Sequence, residues 1–202
     1  HRSDGAPPPS SVDRMVLPVL QGGIDSRCEA PSTDIPASLA SMSDIQYRPE
    51  QFPGSGDIKD LVEQLLRTEG VPLEVAALVW IESDFSVGCY SRVGAAGPWQ
   101  LMPTTGRELG LKIDDTVDER YSWVASTRAA ARYLRHLYNI FEDWSLAIAA
   151  YNCGPGRVQA GLRGGGNTFG EIELPGETDA FVPRFASAAE AYVQVELESD
   201  RL

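Results

Sequence analysis

The 202 residues are 43 % hydrophobic and 23 % charged, enough apolar material for one well-packed domain with additional chain. The net charge of −12 runs the length of the sequence without a basic stripe, which argues against nucleic acid or an anionic membrane surface as a partner. Three cysteines and two histidines without paired ligand spacing argue against a metal centre, and no apolar run reaches the roughly 18–20 residues of a membrane span.

Residues 1–56 read as an irregular N-terminal arm. They open Pro- and Ser-rich (Pro7, Pro8, Pro9, Ser10, Ser11), and the short apolar pieces that follow are broken by Pro18, Gly22, Gly23, Pro31, Pro36 and Pro53. Residues 57–202 read as a helical domain. Ile58, Leu61, Val62, Leu65 and Leu66 recur at i, i+3, i+4, i+7 and i+8, and Gly70 is a natural stop. A second helix is predicted from Pro72 to Asp84; it is apolar on almost every face and therefore buried. A Gly- and Ala-containing loop, Phe85–Gly97, follows, then a short helix over Pro103–Leu109 and a long one over Ser122–Phe141. Asp143 can cap a further apolar helix, Trp144–Asn152. A short helix around Val158–Leu162, a flexible Gly164–Gly166 link and a last helix from Glu177 or Thr178 to about Val195 complete the chain. No alternating stretch of convincing length reads as a strand, so the predicted fold class is all-α. Cys153, beside the fourth-to-fifth helix region, reads as a small buried residue; of the pairings open to the cysteines, Cys28–Cys89 would staple the arm to the loop after the second helix.

The residue that needs explaining is Glu82. On a 3.6-residue period it lies under Val75, Leu78 and Val79, on the core face of a core helix. A carboxylate there must be paired, hydrogen-bonded or kept protonated. No second carboxylate is placed to work with it. Asp84 points away, roughly 200° around a continued helix, and Asp114 and Asp115 read as turn residues.

Motifs downstream suggest what such a glutamate does. Ile81-Glu82-Ser83, then Gly94-Ala95-Ala96-Gly97-Pro98-Trp99-Gln100-Leu101-Met102-Pro103, then Ala150-Tyr151-Asn152-Cys153-Gly154-Pro155-Gly156-Arg157-Val158, and last Leu174-Pro175-Gly176-Glu177-Thr178 stand in one order. Together they resemble the family 1 lytic transglycosylases (the SLT domain), closest to the membrane-bound murein transglycosylase D type, over about residues 57–195. The resemblance implies an all-α, goose-type-lysozyme-like fold and cleavage of the β-1,4 bond between N-acetylmuramic acid and N-acetylglucosamine without water. It implies Glu82 as the one catalytic group, acid and then base, with help from the substrate's N-acetyl group and no metal or cofactor. It also implies substrate-facing roles for Ser91, Trp99, Gln100, Tyr151, Asn152 and Glu177. Ser91 would bond the N-acetyl group. Trp99 either packs under a sugar ring or fills the core, and Asn152 orients its helix end. Two departures from the family pattern, Pro98 for a larger apolar residue and Phe181 for a tyrosine, bear on substrate preference. Tyr121, Trp123, Tyr133 and Tyr138 fit core positions and carry no expected role.

The implied partner is the peptidoglycan glycan strand, and the implied location the periplasm or cell envelope, with a signal peptide already removed from a chain that opens on His1. An acidic enzyme meets an anionic polymer at a disadvantage, so binding is expected to be modest and salt-sensitive unless a cell-envelope protein partner tethers it. Two other readings are open on the sequence: a lysozyme-like hydrolase, in which water replaces the sugar's own hydroxyl, and a non-catalytic wall-binding scaffold.

Overall fold

The computed structural model describes residues 58–199; the expected arm, and Cys28 within it, lie outside the described residues. The helices are α1 (Ile58–Glu69), α2 (Ala77–Ser83), α3 (Pro103–Glu108), α4 (Trp123–Phe141), α5 (Trp144–Cys153), α6 (Pro155–Arg163) and α7 (Gly176–Ser199), with short 3-10 turns at Leu73–Ala76, Glu119–Tyr121 and Phe169–Glu171. The described residues contain no strand, only three isolated bridges, Tyr90 with Ala96, Ala96 with Leu101 and Ile113 with Asp118. The all-α expectation therefore holds.

The predicted boundaries hold to within a few residues, and the deviations have local causes. α1 stops where Gly70 turns left-handed at φ 71°. Ser122 caps α4 by accepting from the Ala125 N–H at 3.2 Å, and Asp143 caps α5 by accepting from Leu146 N–H at 2.9 Å. The second predicted helix is corrected. It begins as a 3-10 turn and ends at Ser83, because Asp84 and Phe85 both take positive φ, 50° and 54°. Nor is it buried on every side: Ala76, Ala77, Leu78 and Val79 are fully enclosed, while Trp80 is 44 % exposed. α6 and α7 run longer than their periodic patterns, and Pro183 lies within α7, near its start.

α4 and α5 form the centre of the core, with α1 packed on α4 and α2 held between the core and α7. Leu134, Leu137, Ile148 and Val158 are completely buried, each worth about 1.5–3 kcal/mol relative to exposure. Buried polar groups tie the layers. Glu69 takes Arg132 Nε at 3.0 Å while its carbonyl accepts from Arg135 at 2.7 Å, fixing the end of α1 to α4. Glu63 accepts from the Tyr192 hydroxyl at 2.6 Å, fixing α1 to α7. Cys153 is buried and free, as read from the sequence. This frame brings the end of α2, the 85–101 loop, α4, α5 and the start of α7 to one place.

Candidate active site

The carboxyl of Glu82 sits in the last turn of α2 and is 6 % exposed. Its neighbours Leu78, Val79 and Val75 anchor the helix in the core, which leaves the side chain little contact with bulk water. Burial pushes its pKa up from 4.5 to about 8; Glu177, on α7, adds to the rise, and Arg184, also on α7, opposes it. Arg184 also donates to the Ile81 carbonyl, one residue before Glu82. Two α7 residues thus set the proton affinity of the α2 carboxyl from opposite directions. Replacing Glu177 with Gln is expected to lower the Glu82 pKa, and replacing Arg184 with Gln to raise it. Carbon-13 titration of the Glu82 carboxyl measures both, and shifts of the same sign would contradict this electrostatic arrangement.

Opposite Glu82 stands the 85–101 loop, whose shape depends on a buried ion pair. Arg120 and Asp118 meet at 2.6 Å, both almost fully enclosed, and Arg120 Nη1 donates to the carbonyls of Gly94 at 2.7 Å and Leu101 at 3.0 Å. The guanidinium places four of its five N–H groups on one carboxylate and two carbonyls, which offsets much of the cost of burying it. Ser83 Oγ donates toward the Pro98 carbonyl at 2.9 Å and so ties the end of α2 to the same loop. Gln100 then takes a left-handed conformation, φ 45°, which costs a non-glycine residue about 1–2 kcal/mol. Its amide donates to the carbonyls of Cys89 at 3.2 Å and Gly97 at 2.8 Å. Since both neighbours are acceptors, the NH2 end must face them, and Gln100 Oε1 is left buried without a partner.

A cleft of about 50 Å³ joins these groups. Its polar wall is Glu82, Gln100, Thr105, Tyr133, Tyr151 and Asn152, and its apolar wall is Leu101 and Met102. Glu82 is the one carboxylate in that lining. Tyr151 donates to the Trp99 carbonyl at 2.7 Å, and burial, with the charge of Glu82 nearby, holds its phenol well above the usual value. Asn152 accepts from Thr178 Oγ1 at 2.8 Å, which links the end of α5 to the start of α7. A larger groove of about 710 Å³, between α6 and the segment before α7, shares none of these lining residues. Among the described residues no group of three or more His, Cys, Asp or Glu could hold a metal ion.

Of the residues named from the sequence, the fold brings Glu82, Gln100, Tyr151 and Asn152 into the cleft wall, with Glu177 close enough to act on Glu82 through its charge. Two of the named residues lie outside that wall. Trp99 is completely buried, and its indole N–H donates to Thr127 Oγ1 at 2.9 Å, so it fills the core and offers substrate no ring face. Ser91 is 1 % exposed and absent from the cleft wall; its Oγ accepts from Ala95 N–H at 3.0 Å and closes the loop. Three residues were missed. Tyr133 is read from the sequence as core, yet its hydroxyl is buried, unpartnered and part of the cleft lining, with its ring 6.0 Å from that of Tyr151. Arg184 and Arg120 carried no motif signal; only a buried carboxylate across from α7, or the tight loop, gives them a task.

The transglycosylase SLT domain model matches residues 62–168. The chain is 37 % identical over 131 residues to membrane-bound lytic murein transglycosylase D of Escherichia coli K12, covering 62 % of this chain and 29 % of that protein. Among solved structures it is similar to the 70 kDa soluble lytic transglycosylase Slt70 of Escherichia coli, with a TM-score of 0.58 at 26 % identity, covering 73 % of this chain and 25 % of that one. It is also similar to an inactive mutant of lytic transglycosylase Slt from Pseudomonas aeruginosa, with a TM-score of 0.56 at 28 % identity, covering 77 % and 27 %. The chain therefore spans less than a third of the length of these relatives. With a domain match over more than half its residues, a helical fold shared with these enzymes and a lone buried glutamate at the cleft, the chain belongs to the SLT transglycosylase family.

Proposed function

We propose that this chain is a peptidoglycan lytic transglycosylase in which Glu82 serves as acid and then as base. The observation that carries the reading is a single cleft carboxyl with a pKa near 8, protonated at neutral pH and lacking a second carboxylate in the cleft wall. Glu82 gives its proton to the glycosidic oxygen as the bond from C1 of N-acetylmuramic acid breaks. The acetamido oxygen of that sugar attacks C1 and forms an oxazolinium ion. The Glu82 carboxylate then takes the proton of the C6 hydroxyl, whose oxygen closes on C1 and releases the acetamido group. The proton returns to Glu82, no water is consumed, and the product ends in a 1,6-anhydro ring.

The other cleft groups fit this sequence as binding residues. Gln100 Oε1 and the Tyr133 hydroxyl have no protein partner, so a sugar hydroxyl or amide can satisfy them. Tyr133→Phe removes a buried group that has no protein partner, so stability is expected to hold or rise by about 1 kcal/mol, while cleavage slows by about tenfold. Chemical denaturation alongside glycan turnover separates the two; a loss of stability would return Tyr133 to a purely structural role. The glycan strand of the cell wall is the substrate under this reading and the cell envelope its location, in keeping with the membrane-bound relative. Digestion of purified peptidoglycan followed by mass spectrometry tests it. Anhydro-ended muropeptides, one water lighter than hydrolysis products, are expected. Reducing-end muropeptides alone would make the chain a lysozyme-like hydrolase, and an undigested wall would make it a binding scaffold.

A further inference from the structure

We infer that Thr178 is a positioning residue of the cleft: its hydroxyl turns the Asn152 side chain so that the amide nitrogen faces the substrate as a hydrogen-bond donor. Thr178 is the third residue of α7 and 1 % exposed, and Asn152 stands in the last turn of α5, in the cleft wall. The Thr178 hydroxyl donates to Asn152 Oδ1 at 2.8 Å. A side-chain amide carries its acceptor and its donors on opposite branches, so a donor on one side commits the oxygen to that side. The Asn152 oxygen is therefore committed to α7, and the NH2 branch is turned toward the cleft that the residue lines. The same hydroxyl reaches Cys153, the next residue of α5. Burial raises the proton affinity of that thiol, and its hydrogen bond with Thr178 opposes the rise. One side chain of α7 thus meets two successive residues at the end of α5.

The hydroxyl is not what seats α7. Phe181 and Val182, in the next turn, are each 5 % exposed and pack into the core, so the helix keeps its place without the Thr178 bond. What the bond adds is direction. The terminal torsion of an asparagine is broad and roughly two-fold, so an untethered amide presents its oxygen or its nitrogen with little preference. Gln100 is oriented by the opposite device, two carbonyls that hold its NH2 end and leave Oε1 as the acceptor. The cleft wall around Glu82 therefore displays one fixed donor and one fixed acceptor. Groups ordered beforehand bind better, because no ordering has to accompany binding. The orientation of the amide rests on the Thr178 hydrogen bond. That the acceptor it meets is a hydroxyl or carbonyl oxygen of a sugar rests on the transglycosylase reading.

The test uses the full chain. Thr178→Val keeps the shape and branching of the side chain and removes only the hydroxyl. KM for glycan strands is expected to rise about tenfold with kcat within about twofold, the pattern of binding lost equally from ground and transition states. Thr178→Ser should keep the wild-type KM. Asn152→Ala should raise KM to the same degree, and adding Thr178→Val to it should change nothing further, because the threonine acts only through the asparagine. Nitrogen-15 relaxation of the Asn152 side-chain amide, measured without substrate, is expected to show an ordered group in the wild type and in Thr178→Ser and a mobile one in Thr178→Val. In Glu82→Gln, with Thr178 intact, the same amide resonances should move when soluble strands of N-acetylglucosamine and N-acetylmuramic acid are added. Additive effects on KM, a Thr178→Ser that behaves as Thr178→Val, an amide equally ordered in all three proteins, or Asn152 resonances unmoved by strands that shift the Gln100 amide would each overturn the inference. Absence of anhydro-ended products from the wild type would overturn the functional reading alone, since the amide relaxation still decides what Thr178 does.

Discussion

Glu82→Gln is expected to reduce glycan cleavage by about 10³-fold, the scale of losing a positioned acid that is also the base, while making the folded protein more stable at alkaline pH. The second half follows from the raised proton affinity. The folded pKa of Glu82 is about 8 and the ordinary value 4.5. Between these values the native state holds a proton that the unfolded chain has released. Stability therefore falls as pH rises through that window and stays low above the folded pKa. At one pKa unit per 1.36 kcal/mol, the full effect is on the order of 5 kcal/mol. Glutamine keeps the shape and does not titrate, so the variant should lack this slope. Urea unfolding at about pH 5 and about pH 9 measures it directly. Near the acid end the two proteins should be similar, and near the alkaline end the variant should be the more stable. Equal slopes in the two proteins would mean that Glu82 is solvated after all, and retained cleavage in the variant would remove it from the chemistry. Wild-type activity should decline as pH passes about 8, where the acid loses its proton before substrate arrives.

Gly97→Ala is the second large effect. A Cβ at this position would lie 1.9 Å from the Arg120 carbonyl oxygen and 2.6 Å from its carbon, and the backbone is left-handed at φ 77°. Both colliding atoms are main chain and cannot swing aside. Either the Gly97–Gln100 turn or the Asp118–Arg120 segment must move, and both belong to the same buried clamp. A loss of about 3 kcal/mol or more is expected, with cleavage falling as Gln100 and the Trp99 carbonyl shift. Gly110→Ala is the internal control. Gly110 is also left-handed, φ 88°, but its Cβ would meet nothing within 4 Å, so only the backbone cost of about 1 kcal/mol should appear. Denaturation curves for the two variants side by side settle the point; equal losses would leave no role for the clash.

Arg120 illustrates why part of this site could not be read from the sequence. Its functional partners are Gly94 and Leu101, 26 and 19 residues away, and nothing in local periodicity connects them. Tyr133 shows the same limit differently. Its place on α4 correctly predicts an inward face, but a helical pattern says that a side chain turns inward without saying whether it meets packed atoms or a cleft. Trp99 is the converse. Its motif position suggested a sugar platform as readily as a core residue, and the hydrogen bond from its indole to Thr127, on another helix, decides for the core.

What the sequence by itself determined is the helical class, the approximate helix boundaries, the family and the position of the buried glutamate proposed as acid and base, because each rests on short-range information: a 3.6-residue period, capping residues, and motifs whose members lie within a few positions of one another. What only the tertiary structure decided is the environment of that glutamate. The proton affinity of Glu82 comes from burial beneath α2's neighbours and from two α7 residues about a hundred positions downstream, and the orientation of Gln100 comes from carbonyls that a left-handed turn brings within reach. These are sums of long-range contacts, and no window of sequence contains them.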